Sequence, residues 1–133
     1  MESDPKILTL AQASAALPKV RQLLERLQEL QRAIAESEQR REEWTEEHAT
    51  GNGHSTVALQ DQLMAEAEAT FNQLSACGAM LKDLESGLVD FYGERAGERI
   101  FLCWRLGEDL RLHYWHTLTG GFAGRQRVDD LIR

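Results

Sequence analysis

Cysteine, proline and long apolar runs are scarce in this chain of 133 residues. It contains two prolines and two cysteines, and Cys77 and Cys103 lack the CxxC spacing of a metal motif. We therefore expect two reduced thiols and no disulfide framework. No apolar stretch approaches the roughly 20 residues that cross a bilayer. Residues 1–5 include Glu2 and Asp4, whereas a secretory signal begins with basic residues. The sequence thus predicts a soluble, cytoplasmic protein without a membrane partner.

Basic charge is also in deficit. The chain has 15 Lys and Arg residues against 22 Asp and Glu residues, a formal net charge of −7. Such a charge repels the phosphate backbone, so we expect no nucleic-acid partner. The length fits one domain, residues 1–133, although a domain of this size often gains further burial by oligomerising. We divide it into a helical hairpin at 9–78 and an antiparallel sheet with a C-terminal loop at 79–133.

The first half of the chain has helical periodicity. Thr9 is in position to cap a helix, with Leu8 packing back as a hydrophobic staple. Pro18 interrupts the pattern, because proline inside a helix removes a hydrogen bond and presses on the carbonyl four residues earlier. The helix either bends near Ser14 or begins as a short segment that ends at Leu17. We favour the short segment, followed by a long helix from about Pro18.

The long helix carries an apolar stripe at three- and four-residue spacing, formed by Val20, Leu24, Leu27 and Ile34. A Gly-Asn-Gly-His turn at residues 51–54 then reverses the chain. Ser55 or Thr56 is predicted to cap a second helix that ends near residues 77–78. The two helices form an antiparallel hairpin. Because the first is longer, part of its stripe lacks a cover, and a homodimer through the helices would supply one.

The second half changes to a period of two. Residues 88–92, 99–106 and 110–116 read as antiparallel strands, and residues 80–84 as a further strand. The fold class is therefore α+β, with a three- to four-stranded sheet. A three-residue turn at 107–109 would direct Trp104 and His116 to the same face. The same register places Cys103 opposite His113 and Phe101 opposite Trp115.

Several short motifs together resemble a known family. They are GLVDF at 87–91, LCW at 102–104, GE at 107–108, WH at 115–116 and GFAGR at 121–125. With the helix start LTLAQASAALPKVRQLL at 8–24, they resemble the bacterial domain-of-unknown-function family 2203. The resemblance implies a helical N-terminal part followed by this C-terminal block. It implies no activity.

Five side chains of this block are of types that bind transition metals, namely Asp90, Cys103, Glu108, His113 and His116. Their spacing matches no standard metal motif, and no other cofactor is indicated. The alternative is structural: the carboxylate bonds to loop backbone, the thiol packs in the core, and the histidines are hydrogen-bonded or exposed.

Two further chemistries can be written for residues of this block. A nucleophilic pair of Cys103 with His113 is conceivable across strands, but the middle of a strand is a poor position for a reactive group. The glycine-rich residues 120–125 end in Arg125, a combination that can hold a carboxylate or phosphate. In the structural alternative, Arg125 pairs with Asp90 or Glu108 while Phe122 fills the core.

These observations favour a noncatalytic interaction or structural protein that dimerises through its helices. The alternative is a small-ligand module using Asp90, Glu108, His116 and Arg125, a metal-binding module, or an uncharacterised enzyme.

Overall fold

The computed structural model describes residues 6–47 and 53–131, with side chains placed for these residues except 41, 43–47, 53–56 and 130–131. Two helices come first, α1 (Leu10–Glu47) and α2 (Gly53–Ala76). Five antiparallel strands follow and lie side by side in chain order: β1 (Met80–Asp83), β2 (Leu88–Arg95), β3 (Glu98–Arg105), β4 (Tyr114–His116) and β5 (Gln126–Arg127). The α+β class is confirmed, with five strands instead of three to four. No helix in the described ranges is both long and apolar enough to cross a membrane.

Helix α1 begins with the predicted cap. The Gln12 amide donates to the Thr9 hydroxyl at 3.1 Å, and the Thr9 amide donates to the Gln12 side chain at 2.9 Å. This reciprocal pair satisfies donors that a helix start leaves free. The preceding Leu8 is buried, and its amide donates to the Tyr92 carbonyl of β2 at 2.8 Å. This bond joins the residues just before α1 to the sheet.

Pro18 does not divide α1, so the expected separate first helix is wrong. A proline in a helix interior costs about 3 kcal/mol. Its neighbours Leu17 and Val20 are fully buried, and each such side chain contributes about 1.5 to 3 kcal/mol. Packing of this turn against the rest of the core therefore outweighs the missing hydrogen bond.

The helices form the predicted antiparallel hairpin. Arg26 of α1 pairs with Glu66 of α2 at 2.7 Å, and further along Gln60 donates to Glu38 at 3.3 Å. Helix α2 begins at Gly53, so Ser55 and Thr56 lie inside it and do not cap it, while residues 51–52 of the predicted turn lie outside the described residues.

The sheet covers the first part of the α1 stripe. Leu17 and the stripe residues Val20 and Leu24 share one core with side chains from β2, β3 and β4: Val89, Phe91, Ile100, Leu102, Trp104 and Trp115. This part of the α1 stripe is therefore covered by the sheet, whereas the homodimer prediction assumed that part of the stripe was uncovered. The homodimer itself stays a prediction.

The predicted faces of β3 are confirmed, but those of β4 are inverted. Leu102 lies opposite Trp115, Cys103 opposite Tyr114, and Phe101 opposite His116. The predicted pairing is thus wrong by one residue, which exchanges every side chain of β4 between the two faces.

The register differs because residues 110–113 are not part of a strand. The Trp104 indole donates to the Asp109 carbonyl at 2.8 Å, and the Leu112 amide donates to the Ser14 hydroxyl of α1 at 3.0 Å. These bonds carry the chain away from β3 before it returns at Tyr114. His116 consequently faces away from the helices, on the same side as Cys103.

Candidate metal centre

Three polar side chains meet on the sheet face that points away from the helices. Asp90 of β2 lies directly opposite Cys103 of β3, and His116 of β4 lies opposite Phe101, two residues before Cys103. One ligand atom from each of the three residues lies within 4.8 Å of the others. Asp90, Cys103 and His116 are 3%, 1% and 3% exposed. Three adjacent strands therefore assemble a buried cluster of one carboxylate, one thiol and one imidazole.

Both ring nitrogens of His116 face oxygen atoms. Nδ1 lies 2.7 Å from the Thr117 carbonyl, and Nε2 lies 3.1 and 3.2 Å from the two carboxylate oxygens of Asp90. A carbonyl only accepts, so Nδ1 carries a hydrogen and donates it. Nε2 and the carboxylate would then present lone pairs to each other. A proton or a metal cation between them makes this contact favourable.

Cys103 is a poor nucleophile in this setting. The pKa of its thiol is raised to about 12, first by burial and then by the negative charge of Asp90, while the nearby Arg125 guanidinium acts in the opposite direction. The thiol is therefore protonated near neutral pH in the absence of a metal. The proposed partner His113 lies elsewhere, with Nε2 at 3.2 Å from an Asp109 carboxylate oxygen. The predicted cross-strand pairing of Cys103 with His113 is wrong, because Tyr114 lies opposite Cys103, and the disfavoured nucleophilic pair loses its basis with it.

Glu108 also stands apart from the cluster. Its carboxylate accepts two hydrogen bonds from Arg125, at 2.6 and 2.8 Å. The predicted contact of Arg125 with Glu108 is confirmed, and it supplies the guanidinium with an anion from within the chain. The five candidate metal ligands thus reduce to Asp90, Cys103 and His116. The four residues predicted to bind a small ligand divide likewise into two separate pairs, Asp90 with His116 and Glu108 with Arg125.

The two pairs are joined through Cys103. Arg125 donates to the Cys103 carbonyl at 3.3 Å, and its guanidinium carbon lies over the Tyr114 ring, 4.1 Å from the centroid. The Phe122 ring, 4.5 Å from the same carbon, lies on the guanidinium as well. Phe122 is 39% exposed, so the expectation that it fills the core is wrong. It packs on Arg125 at the surface.

Comparison with protein families gives one result that covers nearly the whole chain. The model of the uncharacterised conserved proteins designated DUF2203 matches residues 6–128. The chain belongs to the DUF2203 family. Searches of curated proteins and of solved structures find no match. The match includes every residue of the cluster in this DUF2203 protein, but the family description carries no activity. The chemistry must therefore be argued from the cluster itself.

The sequence did not single out two groups that shape this site. The Thr117 carbonyl orients His116, and Tyr114 supports Arg125. A backbone carbonyl carries no sequence signal, and the predicted register of β4 puts Tyr114, two residues before His116, on the face of Trp104.

Proposed function

We propose that this DUF2203 protein binds a divalent transition-metal ion through Asp90, Cys103 and His116, and that Zn²⁺ fits best. The observation that carries the proposal is the convergence of three ligand atoms within 4.8 Å in a buried cluster. Each ligand comes from a different strand, so the folded sheet would present a preformed site.

The donor types favour zinc over the hard cations. Thiolate and imidazole are preferred by Zn²⁺ and similar metals, whereas Mg²⁺ and Ca²⁺ are bound by oxygen. The bond from His116 Nδ1 to the Thr117 carbonyl supports the proposal, because metal-bound histidines usually donate their other ring hydrogen to an oxygen. Nε2 is then the ligand atom, and it faces Asp90. A water molecule or small ligand would complete four-fold coordination; we assign no reaction to the site.

Charge balance also fits a divalent ion. The metal contributes two positive charges, and the Cys103 thiolate and Asp90 carboxylate contribute one negative charge each. Binding replaces two protons, one from the thiol and one from the contact between His116 and Asp90. The buried cluster is electrically neutral both before and after binding, so no net charge is buried.

The test is metal analysis of full-length protein purified without a histidine tag and reconstituted with Zn²⁺. We expect about one zinc ion per chain. Cys103→Ser and His116→Gln should lose it, while His113→Gln should retain it because His113 lies outside the cluster. A wild-type protein that takes up no zinc, or a His113→Gln variant that loses it as the others do, would contradict the proposal.

A second candidate function is the predicted noncatalytic role as a homodimer formed through the helices. It is supported by α2, on which Leu59, Met64 and Phe71 are 45%, 53% and 43% exposed. Sedimentation velocity at micromolar concentration tests it, and a monomer at every concentration would eliminate this role.

The proposed cellular setting is the bacterial cytoplasm. Cys77 and Cys103 are both free cysteines, and a reducing compartment would keep Cys103 available as a ligand. Detection of the native protein in a soluble cytoplasmic fraction is the measurement that checks it.

A further inference from the structure

We infer that the Arg125–Glu108 ion pair is a gate that controls access to the Asp90–Cys103–His116 cluster. The inference rests on the proposed function where it names a metal ion as the species admitted. The gate itself is defined by the geometry around Cys103, so it can be tested without a metal.

Access requires some part of the protein to move. The three cluster residues are almost fully buried. A metal ion, which arrives hydrated, must lose water and pass between side chains to reach them. The side chain that contacts Cys103 from the C-terminal loop is Arg125, whose Nη2 donates a hydrogen bond to the Cys103 carbonyl at 3.3 Å. The positive charge of the guanidinium also acts to lower the pKa of the Cys103 thiol.

The fixed half of the gate is Glu108. Its Oε1 accepts a hydrogen bond from the Arg105 amide at 3.0 Å, and its own amide donates to the Arg105 carbonyl at 3.1 Å. Gly107, at φ +100°, permits this tight turn at the end of β3. Glu108 is thus held on the sheet by the turn that carries it.

The half of the gate that we expect to move is the loop at 117–125. Its residues are mostly exposed. Its backbone hydrogen bonds from Gly120 to Thr117 and from Gly124 to Gly121 lie within the loop itself. Arg125 joins this loop to Glu108 through two charge-assisted hydrogen bonds, and the Phe122 ring packs on the guanidinium. Exposed loops with few buried contacts open at low free-energy cost, so the Arg125 contacts determine how often this one opens.

The experiment measures alkylation of Cys103 by iodoacetamide in metal-free protein, read by mass spectrometry. Every protein carries Cys77→Ser, which leaves Cys103 as the single thiol. Glu108→Gln weakens the ion pair, and Phe122→Ala removes the ring without changing any charge. Glu66→Gln is the matched control, because it weakens an ion pair with Arg26 between the helices. Retention of the wild-type circular-dichroism spectrum and melt verifies folding, and Glu108→Asp replaces Glu108→Gln if that variant fails to fold.

We expect Glu108→Gln and Phe122→Ala each to accelerate alkylation about tenfold, because each weakens the hold on the loop, while Glu66→Gln changes nothing. Unchanged rates in both gate variants would overturn the inference. Acceleration by Glu108→Gln alone would overturn it too, since a freed Arg125 charge could make the thiol more acidic without any opening.

Zinc transfer to a chromogenic chelator then separates this inference from the metal proposal. If zinc binds, both gate variants should release it about tenfold faster than wild type, and equal release rates would refute the gate. If zinc does not bind but both variants accelerate alkylation, the gate stands and the metal proposal alone fails.

Discussion

Zinc binding to this protein should release about two protons per metal ion near neutral pH. The first comes from Cys103, whose thiol pKa of about 12 in the metal-free protein keeps it protonated at pH 7. The second comes from the contact between His116 Nε2 and Asp90, where the 3.1 Å separation of two acceptors requires a bridging proton. A metal ion that takes these ligands displaces both.

Isothermal titration calorimetry in several buffers of different ionisation enthalpy measures this number. The observed binding enthalpy varies linearly with the ionisation enthalpy of the buffer, and the slope gives the protons transferred. Wild type and His113→Gln should give a slope of about two, and Cys103→Ser should give no zinc-binding signal. A wild-type slope near zero would refute the assigned protonation states. A slope of two retained by Cys103→Ser would show that the thiol is not a ligand.

The remaining predictions concern stability, measured by urea denaturation monitored by circular dichroism. Leu17→Ala should reduce the free energy of unfolding by about 2 to 5 kcal/mol, because the side chain is fully buried between α1 and the sheet; a loss below 1 kcal/mol would contradict that packing. Thr9→Ala should cost about 1 kcal/mol by removing the helix cap, and the exposed Thr119→Ala serves as a control expected to cost far less. Asp90→Ala should destabilise metal-free protein by about 1 to 3 kcal/mol, because His116 Nε2 loses its buried partner; a neutral effect would argue against this pairing.

The parts of the fold that follow local rules were predictable. The α+β class, the Thr9 cap and the alternation of β3 depend on neighbouring residues, and each was found. The Arg125–Glu108 contact was also predicted, since both residues stand in turn-forming segments at one end of the sheet.

The features that depend on distant contacts were not predictable. The path of residues 110–113 is set by a bond between Leu112 and Ser14, which are 98 positions apart. That path determines the register of β4 and hence the face of His116. Residue type alone makes Asp90, Cys103 and His116 metal-ligand candidates, but the alternation of the strand predicts the wrong face for His116. The convergence of these three side chains in one cluster is therefore visible only in the three-dimensional structure.

The burial of α1 by later strands has a consequence for how the chain is made. The ribosome completes α1 long before it adds Phe91, Trp104 and Trp115, which cover Leu17 and Val20. The apolar surface of the nascent helices stays exposed until these strands are synthesised. The hydrogen bond between Leu8 and Tyr92 forms only after β2 leaves the ribosome. A chain that stops at residue 78 would keep the surface permanently open. We expect such a truncated product to associate with itself or to be held by chaperones until it is degraded.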